Sequence, residues 1–171
     1  KQIKVANSLN FLTNTSAIVR KNSLGKIIAI TGSSGKTSLK ELIGKTLNKF
    51  SRTSFSPKSF NNKYGVPLSL FNLGHRHDFG IFEVGMDKKG EINDLTKLIK
   101  PDVGVITNVS YAHAKNFKNV KQIALAKAEI MNNINENGSI VLNADDKFYR
   151  LFNRIALKKK IKTYSFSMKK K

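Results

Sequence analysis

Residues 29–43 read AITGSSGKTSLKELI and are the most informative part of the sequence. An apolar run ends at Thr31, a Gly-Ser-Ser-Gly turn follows, and a helical pattern begins at Lys36. Small residues in such a turn let backbone N–H groups converge on a phosphate, and the start of the helix adds partial positive charge. Lys36 could then reach the β- and γ-phosphates, and the Thr37 hydroxyl could hold Mg²⁺. The stretch therefore predicts a nucleotide-phosphate site between a strand and a helix.

The stretch departs from the usual phosphate-loop pattern, which places a glycine and four free positions before Gly-Lys-Ser/Thr. Ile30 occupies the position of that first glycine, and Gly32 stands two residues later. The alternative interpretation is a Gly/Ser turn that caps an ordinary helix. The order of strand, loop, Lys-Thr pair and helix favours the phosphate site.

The composition of the 171-residue chain indicates one globular domain, because 40% of its residues are hydrophobic. The chain has no cysteine, which excludes disulfides and thiolate chemistry and is typical of a cytoplasmic protein. No apolar run is long enough to span a bilayer, and the N-terminal stretch KQIKVANSLN lacks the apolar segment of a signal peptide. The first residue is Lys1 and not Met, so we expect a piece of a longer protein.

The formal net charge of +20 makes a nucleic-acid-binding protein one candidate. The lysines, however, are spread along the chain and are not interleaved with aromatic residues on one element. The densest run, KKKIK at residues 158–162, is typical of a solvated edge. We therefore expect no nucleic-acid partner, and we expect the basic surface to attract anionic substrates.

Short β-branched runs alternate with helical patterns along the chain. Strands are predicted at residues 26–31, 52–56, 79–85, 102–109, 138–144 and 161–166. Helices are predicted at residues 36–50, 66–72, 91–99 and 120–134. This alternation predicts an α/β fold with a mostly parallel sheet covered by helices on both faces. Ligands bind such sheets beyond the carboxyl ends of the strands, which here follow Ile30, Phe82, Val105 and Val141.

Lys127 lies in the predicted helix 120–134 among apolar residues that share one helix face, namely Ile123, Ile130, Met131 and Ile134. It follows Ile123 by four positions and precedes Ile130 by three, so its side chain is expected to point inward. Burial of an ammonium without a partner is costly and should lower its pKa. The lysine must therefore find an acid, extend its ammonium to the surface, or lose its charge.

Two further polar residues follow predicted strands. Glu83 ends the apolar strand 79–85, where a carboxylate is costly unless a cation accompanies it; the alternative is an exposed acid at a strand end. His113 follows the strand 102–109 in a short polar turn. Taken alone, such a histidine is more often a surface or capping residue than a ligand.

Six segments together resemble the Mur ligase superfamily, the ATP-dependent amide-forming enzymes of peptidoglycan and polyglutamate synthesis. They are TGSSGKT, SFNNKYGVPLSL, FEVGMDKKGEI, ITNVSYAHAKNF, IALAKAEI and VLNADD, in the same order and at similar spacing as in the family. The family's shortened loop, Thr-Gly-x-x-Gly-Lys-Thr/Ser, accounts for the missing first glycine. Glu-x-Gly followed by Gly-Glu-Ile favours the type that adds D-alanyl-D-alanine. The resemblance covers residues 25–146 and implies a P-loop-containing mononucleotide-binding domain.

The resemblance implies a role for each matching residue. Catalytic roles fall on Lys36, Asn62, His113 and Lys127, with Lys127 carbamylated. Contacts to ATP fall on Gly32, Ser33, Ser34, Gly35, Lys36, Thr37, Ser38, Asn61 and Asn143. Ligands of two Mg²⁺ ions fall on Thr37, Glu83 and His113.

Several of these residues also have plainer interpretations. Asn61 and Asn62 could simply shape a turn, and Asp145 and Asp146 fit the start of the next helix. The sequence departs from the family two positions after His113, where Lys115 replaces the usual acid. This change puts the local charge balance or substrate contacts in question, but not the proposed metal ligand.

The resemblance also implies the reaction and its partners. ATP would phosphorylate the terminal carboxylate of UDP-N-acetylmuramoyl-tripeptide, and the amine of D-alanyl-D-alanine would attack the acyl phosphate. We expect a cytoplasmic monomer with no membrane span. Alternatives are another ligase of the superfamily, such as a folylpolyglutamate synthase, or an ATP-binding module without catalysis.

The expected organisation is a linker or helical lead-in at residues 1–24, followed by a central ATP-binding domain at residues 25–171. We expect this domain to be incomplete at its C-terminus. The family's N-terminal UDP-sugar domain and its C-terminal domain are not recognisable in this sequence. The isolated chain is therefore expected to be inactive as a ligase.

Overall fold

The computed structural model describes residues 2–111 and 116–169. Its helices are α1 (Ser8–Lys21), α2 (Lys36–Leu47), α3 (Gly65–Leu70), α4 (Glu91–Ile99), α5 (Val120–Ala128) and α6 (Tyr149–Lys158). Its strands are β1 (Lys26–Thr31), β2 (Thr53–Phe55), β3 (Phe79–Glu83), β4 (Val103–Ile106), β5 (Ser139–Asn143) and β6 (Lys162–Phe166). The predicted alternation of strands and helices is confirmed.

The described strands form one sheet in the order β2-β3-β1-β4-β5-β6, and every neighbouring pair is parallel. Strand β1 lies between β3 and β4, so that Ile30 pairs with Glu83 on one side and with Val105 on the other. The chain leaves β1 toward β2 and later crosses to β4 on the opposite side. The crevice at the carboxyl end of β1 is therefore a topological switch point, where α/β sheets bind ligands.

Helices cover both faces of the sheet, as predicted. On one face, Leu39, Ile43 and Leu47 of α2 pack against a buried cluster that includes Ile30 and Ile81. The larger core lies on the other face, where the buried residues of α3, α4, α5 and α6 contact the strands. Burial on both faces explains why the central strands read as continuous apolar runs.

The strands β3 and β4 end earlier than their predicted ranges, 79–85 and 102–109. The backbone N–H of Gly85 donates to the carbonyl of Asn61 at 2.7 Å, and the Thr107 hydroxyl donates to the carbonyl of Ser34 at 2.7 Å. Gly85 leaves the sheet ladder because its N–H is bonded to a neighbouring loop. The N–H of Thr107 still donates to the carbonyl of Thr31 in β1 at 3.0 Å, while its hydroxyl bonds to the loop after β1. The polar edge of the sheet begins where the strands end.

The predicted helix 120–134 ends as an α-helix at Ala128 and continues as a 3₁₀ turn, Glu129–Asn132. At this point the Glu129 carboxylate accepts hydrogen bonds from the backbone N–H groups of Gly90 and Asn93. Glu129 therefore caps the start of α4, whose own N-cap, Gly90, has no side chain to do so. The predicted helix 36–50 likewise ends early, at Leu47.

The described residues contain no helix that is both long and apolar enough to cross a membrane. Helix α1 falls in the segment 1–24 that was predicted as a linker or helical lead-in. Its side chain Arg20 donates to the carbonyl oxygens of Ile99 and Lys100, so this segment is tied to the end of α4.

The packing of α2 on β2 predicts an unusual response at Gly44. A Cβ atom there would lie 2.6 Å from the Phe55 ring, which is far inside van der Waals contact. Alanine in a helix is ordinarily better than glycine by about 1 kcal/mol. We expect Gly44→Ala to lower the free energy of unfolding by about 1–3 kcal/mol instead, because the overpacked ring must shift.

Denaturant unfolding followed by circular dichroism measures this effect. Gly74→Ala is the matched control, because the nearest atom to its added Cβ would be 3.4 Å away, an ordinary contact. Equal stability of Gly44→Ala and the wild type would contradict the close packing of Gly44 against the Phe55 ring.

Candidate nucleotide and metal site

The phosphate loop, residues 32–35, joins β1 to α2. A Cβ atom on Gly32 would lie 1.8 Å from the Thr107 hydroxyl, so only glycine fits there. Gly35 has a φ of 77°, in the left-handed region that glycine adopts without strain. The Lys36 ammonium donates to the carbonyl of Gly32 at 3.0 Å and therefore lies across the loop. The predicted strand, loop and helix are present in the predicted order.

The segment after β4, residues 107–110, holds the phosphate loop in place. The backbone N–H of Ser33 donates to the carbonyl of Asn108 at 3.0 Å, and the N–H of Ser34 donates to the Asn108 side-chain oxygen at 3.1 Å. The Thr107 hydroxyl donates to the carbonyl of Ser34. Thr107 and Asn108 were not predicted as site residues, although both lie in the segment ITNVSYAHAKNF. Their position directly after a strand of the predicted sheet was the available signal.

Glu83 is buried at the carboxyl end of β3, with 1% of its surface exposed. One carboxylate oxygen accepts a hydrogen bond from the Thr37 hydroxyl at 2.7 Å, and the other accepts from the Asn61 amide at 2.8 Å. The alternative interpretation of Glu83 as an exposed acid is wrong. The structure brings Thr37, Asn61 and Glu83 together; Thr37 and Glu83 belong to the metal ligands that the family resemblance implies, and Asn61 to the implied ATP contacts.

The arrangement around Glu83 fits a magnesium ion. Within residues 2–111 and 116–169, no lysine, arginine or histidine forms an ion pair with its carboxylate. The same residues hold no group of three or more His, Cys, Asp or Glu side chains that could bind a metal alone. Mg²⁺ is usually bound by one or two carboxylates together with substrate phosphates and water. Glu83 and Thr37 beside a phosphate loop are suited to that kind of site.

The segment between β2 and α3 contributes two further polar groups. The Ser59 hydroxyl oxygen lies 3.2 Å from the Thr37 hydroxyl oxygen, and Ser59 was not predicted as a site residue. The side-chain oxygen of Asn62 accepts from the backbone N–H groups of Tyr64 and Gly65 and so shapes the start of α3. The turn-shaping interpretation is correct for this oxygen, and Asn62 also borders a cleft beside the phosphate loop.

A cleft of about 410 Å³ opens beside the phosphate loop. Its lining combines loop residues, lysines, amides and acids: Gly32, Lys36, Asn61, Asn62, Lys63, Tyr64, Gly85, Met86, Asp87, Lys88, Glu91, Asp94, Leu95 and Lys127. Four of these are lysines and three are acids, so the lining as a whole is mixed in charge, and the suitability for an anionic ligand comes from Lys36 and the adjoining phosphate loop.

Lys127 is buried, with 2% of its surface exposed, and it borders the same cleft as Lys36. The predicted inward orientation is confirmed, and the alternative, in which the ammonium extends to bulk solvent, is wrong. Burial lowers the pKa of Lys127 from its ordinary 10.5 to about 7, with a further contribution from the charge of Lys36. No acid within the described residues forms an ion pair with Lys127. Near neutral pH a substantial fraction of this side chain is therefore an uncharged amine.

Asn143 lies at the end of β5, outside the lining of the cleft. Its side-chain amide donates to the carbonyl of Thr107 at 3.3 Å, and its side-chain oxygen accepts from the N–H of Asp145 at 2.9 Å. Asn143 is thus connected to the phosphate loop through Thr107.

Asp146 accepts from the N–H groups of Phe148 and Val109, and Asp145 accepts from the Ser167 hydroxyl and the N–H of Met168. Helix α6 begins at Tyr149 with no acid in its first turn, so the interpretation of both acids as the start of this helix is wrong.

Ser38 and His113 are the remaining predicted site residues. Ser38 is exposed in the first turn of α2. His113 and the neighbouring Lys115 lie outside the described residues, so the predicted role of His113 stays a prediction.

The chain is similar in sequence to a known protein family. Residues 30–171 match the Mur ligase middle domain family. The chain is 36% identical to a UDP-N-acetylmuramoyl-tripeptide–D-alanyl-D-alanine ligase from Buchnera aphidicola, over 99% of this chain and 37% of that protein. The chain thus spans little more than a third of the length of this curated relative.

Solved structures agree with this similarity. MurF from Acinetobacter baumannii superposes with a TM-score of 0.90 at 33% identity, over 96% of this chain and 36% of that chain. MurF from Thermotoga maritima in complex with ADP superposes with a TM-score of 0.86 at 29% identity, over 98% of this chain and 38% of that chain.

The lowered pKa of Lys127 predicts a pH-dependent stability difference. The unfolded chain binds the lysine proton more tightly than the folded chain, so folded stability rises as pH increases from about 7 toward 10.5. Relative to Lys127→Met, the wild type should gain roughly 4 kcal/mol across this interval, since 1.36 kcal/mol corresponds to each pKa unit.

Urea unfolding of both proteins at about pH 6.5, 8 and 9.5 measures this difference. The exposed Lys121 on the same helix supplies the control, and Lys121→Met should show a nearly constant difference from the wild type. A Lys127→Met difference that does not change with pH would contradict the burial of an unpaired amine.

Proposed function

Because this chain belongs to the Mur ligase family, we propose that it is the ATP-binding middle domain of a ligase that adds D-alanyl-D-alanine to UDP-N-acetylmuramoyl-tripeptide. The observation that carries this proposal is the position of the buried Glu83–Thr37 pair directly beside the phosphate loop and Lys36. Relatives named as this ligase align over nearly the whole chain. The ADP complex of a MurF neighbour supports a nucleotide ligand.

The proposed reaction has two steps. The γ-phosphoryl group of ATP is transferred to the terminal carboxylate of the tripeptide, which breaks a bond to ADP and forms an acyl phosphate. The amine of D-alanyl-D-alanine then attacks the acyl carbon, and phosphate leaves as the amide forms and the amine loses a proton. Transfer of this kind asks the protein mainly for positioning and charge neutralisation.

The residues of the phosphate loop would perform the positioning. The backbone N–H groups of the loop and the start of α2 would face the phosphates, and Lys36 would move from its bond with Gly32 to a phosphate oxygen. Glu83 and Thr37 would hold a magnesium ion, and this ion would supply positive charge that offsets the negative charge of the substrates. Asn61 fixes the second oxygen of Glu83 and so orients this carboxylate.

The remaining proposed roles concern Lys127, His113, Asn62 and Asn143. Lys127 is a candidate for carbamylation, because a buried amine with a pKa of about 7 is substantially uncharged and can add CO₂. A carbamate would supply negative charge in a cleft that contains several lysines. His113 would bind a second magnesium ion, Asn62 would lie near the reacting carboxylate, and Asn143 would contact the adenine.

The present chain would consist of a helical lead-in, residues 1–24, and the ATP-binding domain, residues 25–171. UDP-N-acetylmuramoyl-tripeptide and D-alanyl-D-alanine would bind mainly to other parts of the enzyme. The relatives are much longer than this chain, which supports a division of work among several domains. The protein would act as a cytoplasmic monomer without a nucleic-acid partner. The isolated chain would bind the nucleotide without forming the amide bond.

Lys36→Ala tests the nucleotide site. The mutation removes the ammonium that would reach the phosphates, so Mg²⁺-ATP binding by this chain should weaken by at least about a hundredfold, as expected for lost charge-assisted hydrogen bonds. Isothermal titration calorimetry measures the affinity, and thermal unfolding checks the fold. Lys45→Ala, an exposed lysine on the same helix, is the control. Wild-type affinity in Lys36→Ala would refute the assignment of the loop.

Lys127→Ala tests the proposed carbamate in the intact ligase. Ligation should fall by at least about a hundredfold, the scale typical for loss of one preorganised charge. Added formate or acetate should restore part of the activity, because a short carboxylate can occupy the vacated space. Lys121→Ala controls for the loss of a lysine from α5. Full ligation by Lys127→Ala would exclude a role for the carbamate.

A further inference from the structure

Lys40 is a second buried lysine, and neither the sequence patterns nor the proposed reaction uses it. It lies on α2 one turn after Lys36 and has 0% of its surface exposed. Its ammonium donates to the carbonyl oxygens of Ser56 and Lys58, both at 2.6 Å, and pairs with Glu41 at 2.9 Å. A lysine ammonium has three N–H donors, so each of them has an acceptor.

The two carbonyls belong to a segment without regular secondary structure, residues 56–62, which follows β2. Lys58 within it has a φ of 46°, a left-handed conformation that costs free energy for a residue with a Cβ atom. The same segment carries Ser59, which contacts Thr37, and Asn61, which donates to Glu83. Lys40 therefore binds the backbone of the same segment whose side chains Ser59 and Asn61 reach the proposed metal site.

We propose that Lys40 is a positioning residue: its ammonium holds residues 56–62 so that Asn61 and Ser59 orient Glu83 and Thr37 for a magnesium-bound nucleotide phosphate. This inference rests on the proposed function for the identity of the ligand. The contact with residues 56–62 can be tested without any ligand.

The chemistry of burial favours a positioning role over simple packing. Removing an ammonium from water is costly, and an apolar side chain of similar length would fill the same volume without that cost. An apolar residue would leave the carbonyls of Ser56 and Lys58 without the charged donor that joins them. The joined pair fixes the backbone on both sides of residue 57, and Ser59 and Asn61 follow directly along the chain.

The experiment compares Lys40→Met with Lys45→Met in this chain. Methionine keeps the length of the lysine and removes its charge and donors. Lys45 lies on the same helix and pairs with the same Glu41, at 3.6 Å, but its side chain is 72% exposed. Hydrogen–deuterium exchange without ligand, and calorimetric titration of ADP with and without Mg²⁺, provide the two measurements.

In Lys40→Met, amide exchange in residues 58–62 should be at least about tenfold faster, while β1 and α2 keep wild-type protection. Affinity for metal-free ADP should stay within about twofold of wild type, and the gain in affinity from Mg²⁺ should fall by at least about tenfold. Lys45→Met should match the wild type in both measurements. A purely structural role would weaken binding of ADP with and without the metal alike.

Unchanged exchange in residues 58–62 would overturn the inference, whatever the nucleotide results. A wild-type chain whose ADP affinity does not respond to Mg²⁺ would instead contradict the proposed function, and the exchange data would still decide whether Lys40 holds the segment. If Lys40→Met lacks a cooperative unfolding transition, Lys40→Gln, which keeps two N–H donors, replaces it. Lys40→Gln should show the same pattern at smaller size, and wild-type behaviour in both measurements would overturn the inference.

Discussion

The burial of a carboxylate at the end of β3 is the constraint on which the site depends. Glu83 needs donors for both oxygens, and it finds them in Thr37 at the start of α2 and in Asn61 from the segment after β2. Because Ile30 pairs with Glu83 across the sheet, the phosphate loop begins directly beside this carboxylate. The hydrogen bonds of Glu83 thus connect three parts of the chain at one edge of the sheet, namely the end of β3, the start of α2 and the segment after β2.

The two buried lysines near this edge illustrate opposite solutions to the same cost. The Lys40 ammonium has three acceptors, which offset the cost of its burial. Lys127 has no acidic partner among the described residues. Its burial, together with the positive charge of Lys36, lowers its pKa to about 7. A satisfied charge can position backbone, whereas an unsatisfied one is suited to chemical modification or to a change of charge on ligand binding.

Much of the fold could be predicted from local patterns. The bounds of β1 and α4 agree with the predicted ranges 26–31 and 91–99, because the loop after β1 and Pro101 after α4 mark their ends clearly. The ends of β3 and of α5 could not be predicted, because distant groups set them. Asn61 receives the N–H of Gly85, and the Glu129 carboxylate turns to cap α4.

Local sequence patterns were sufficient to predict the parallel α/β class, the phosphate loop and the inward direction of Lys127, because each depends on spacing within one strand, turn or helix. Contacts between distant parts of the folded chain determine which groups satisfy Glu83, that Asn108 holds the loop, and that Lys40 is buried under residues 56–62. In sequence Lys40 stands among the polar residues of a helix whose apolar stripe is Leu39, Ile43 and Leu47. Its acceptors are backbone carbonyls, and since every residue has a carbonyl, no residue pattern can identify them before the chain has folded.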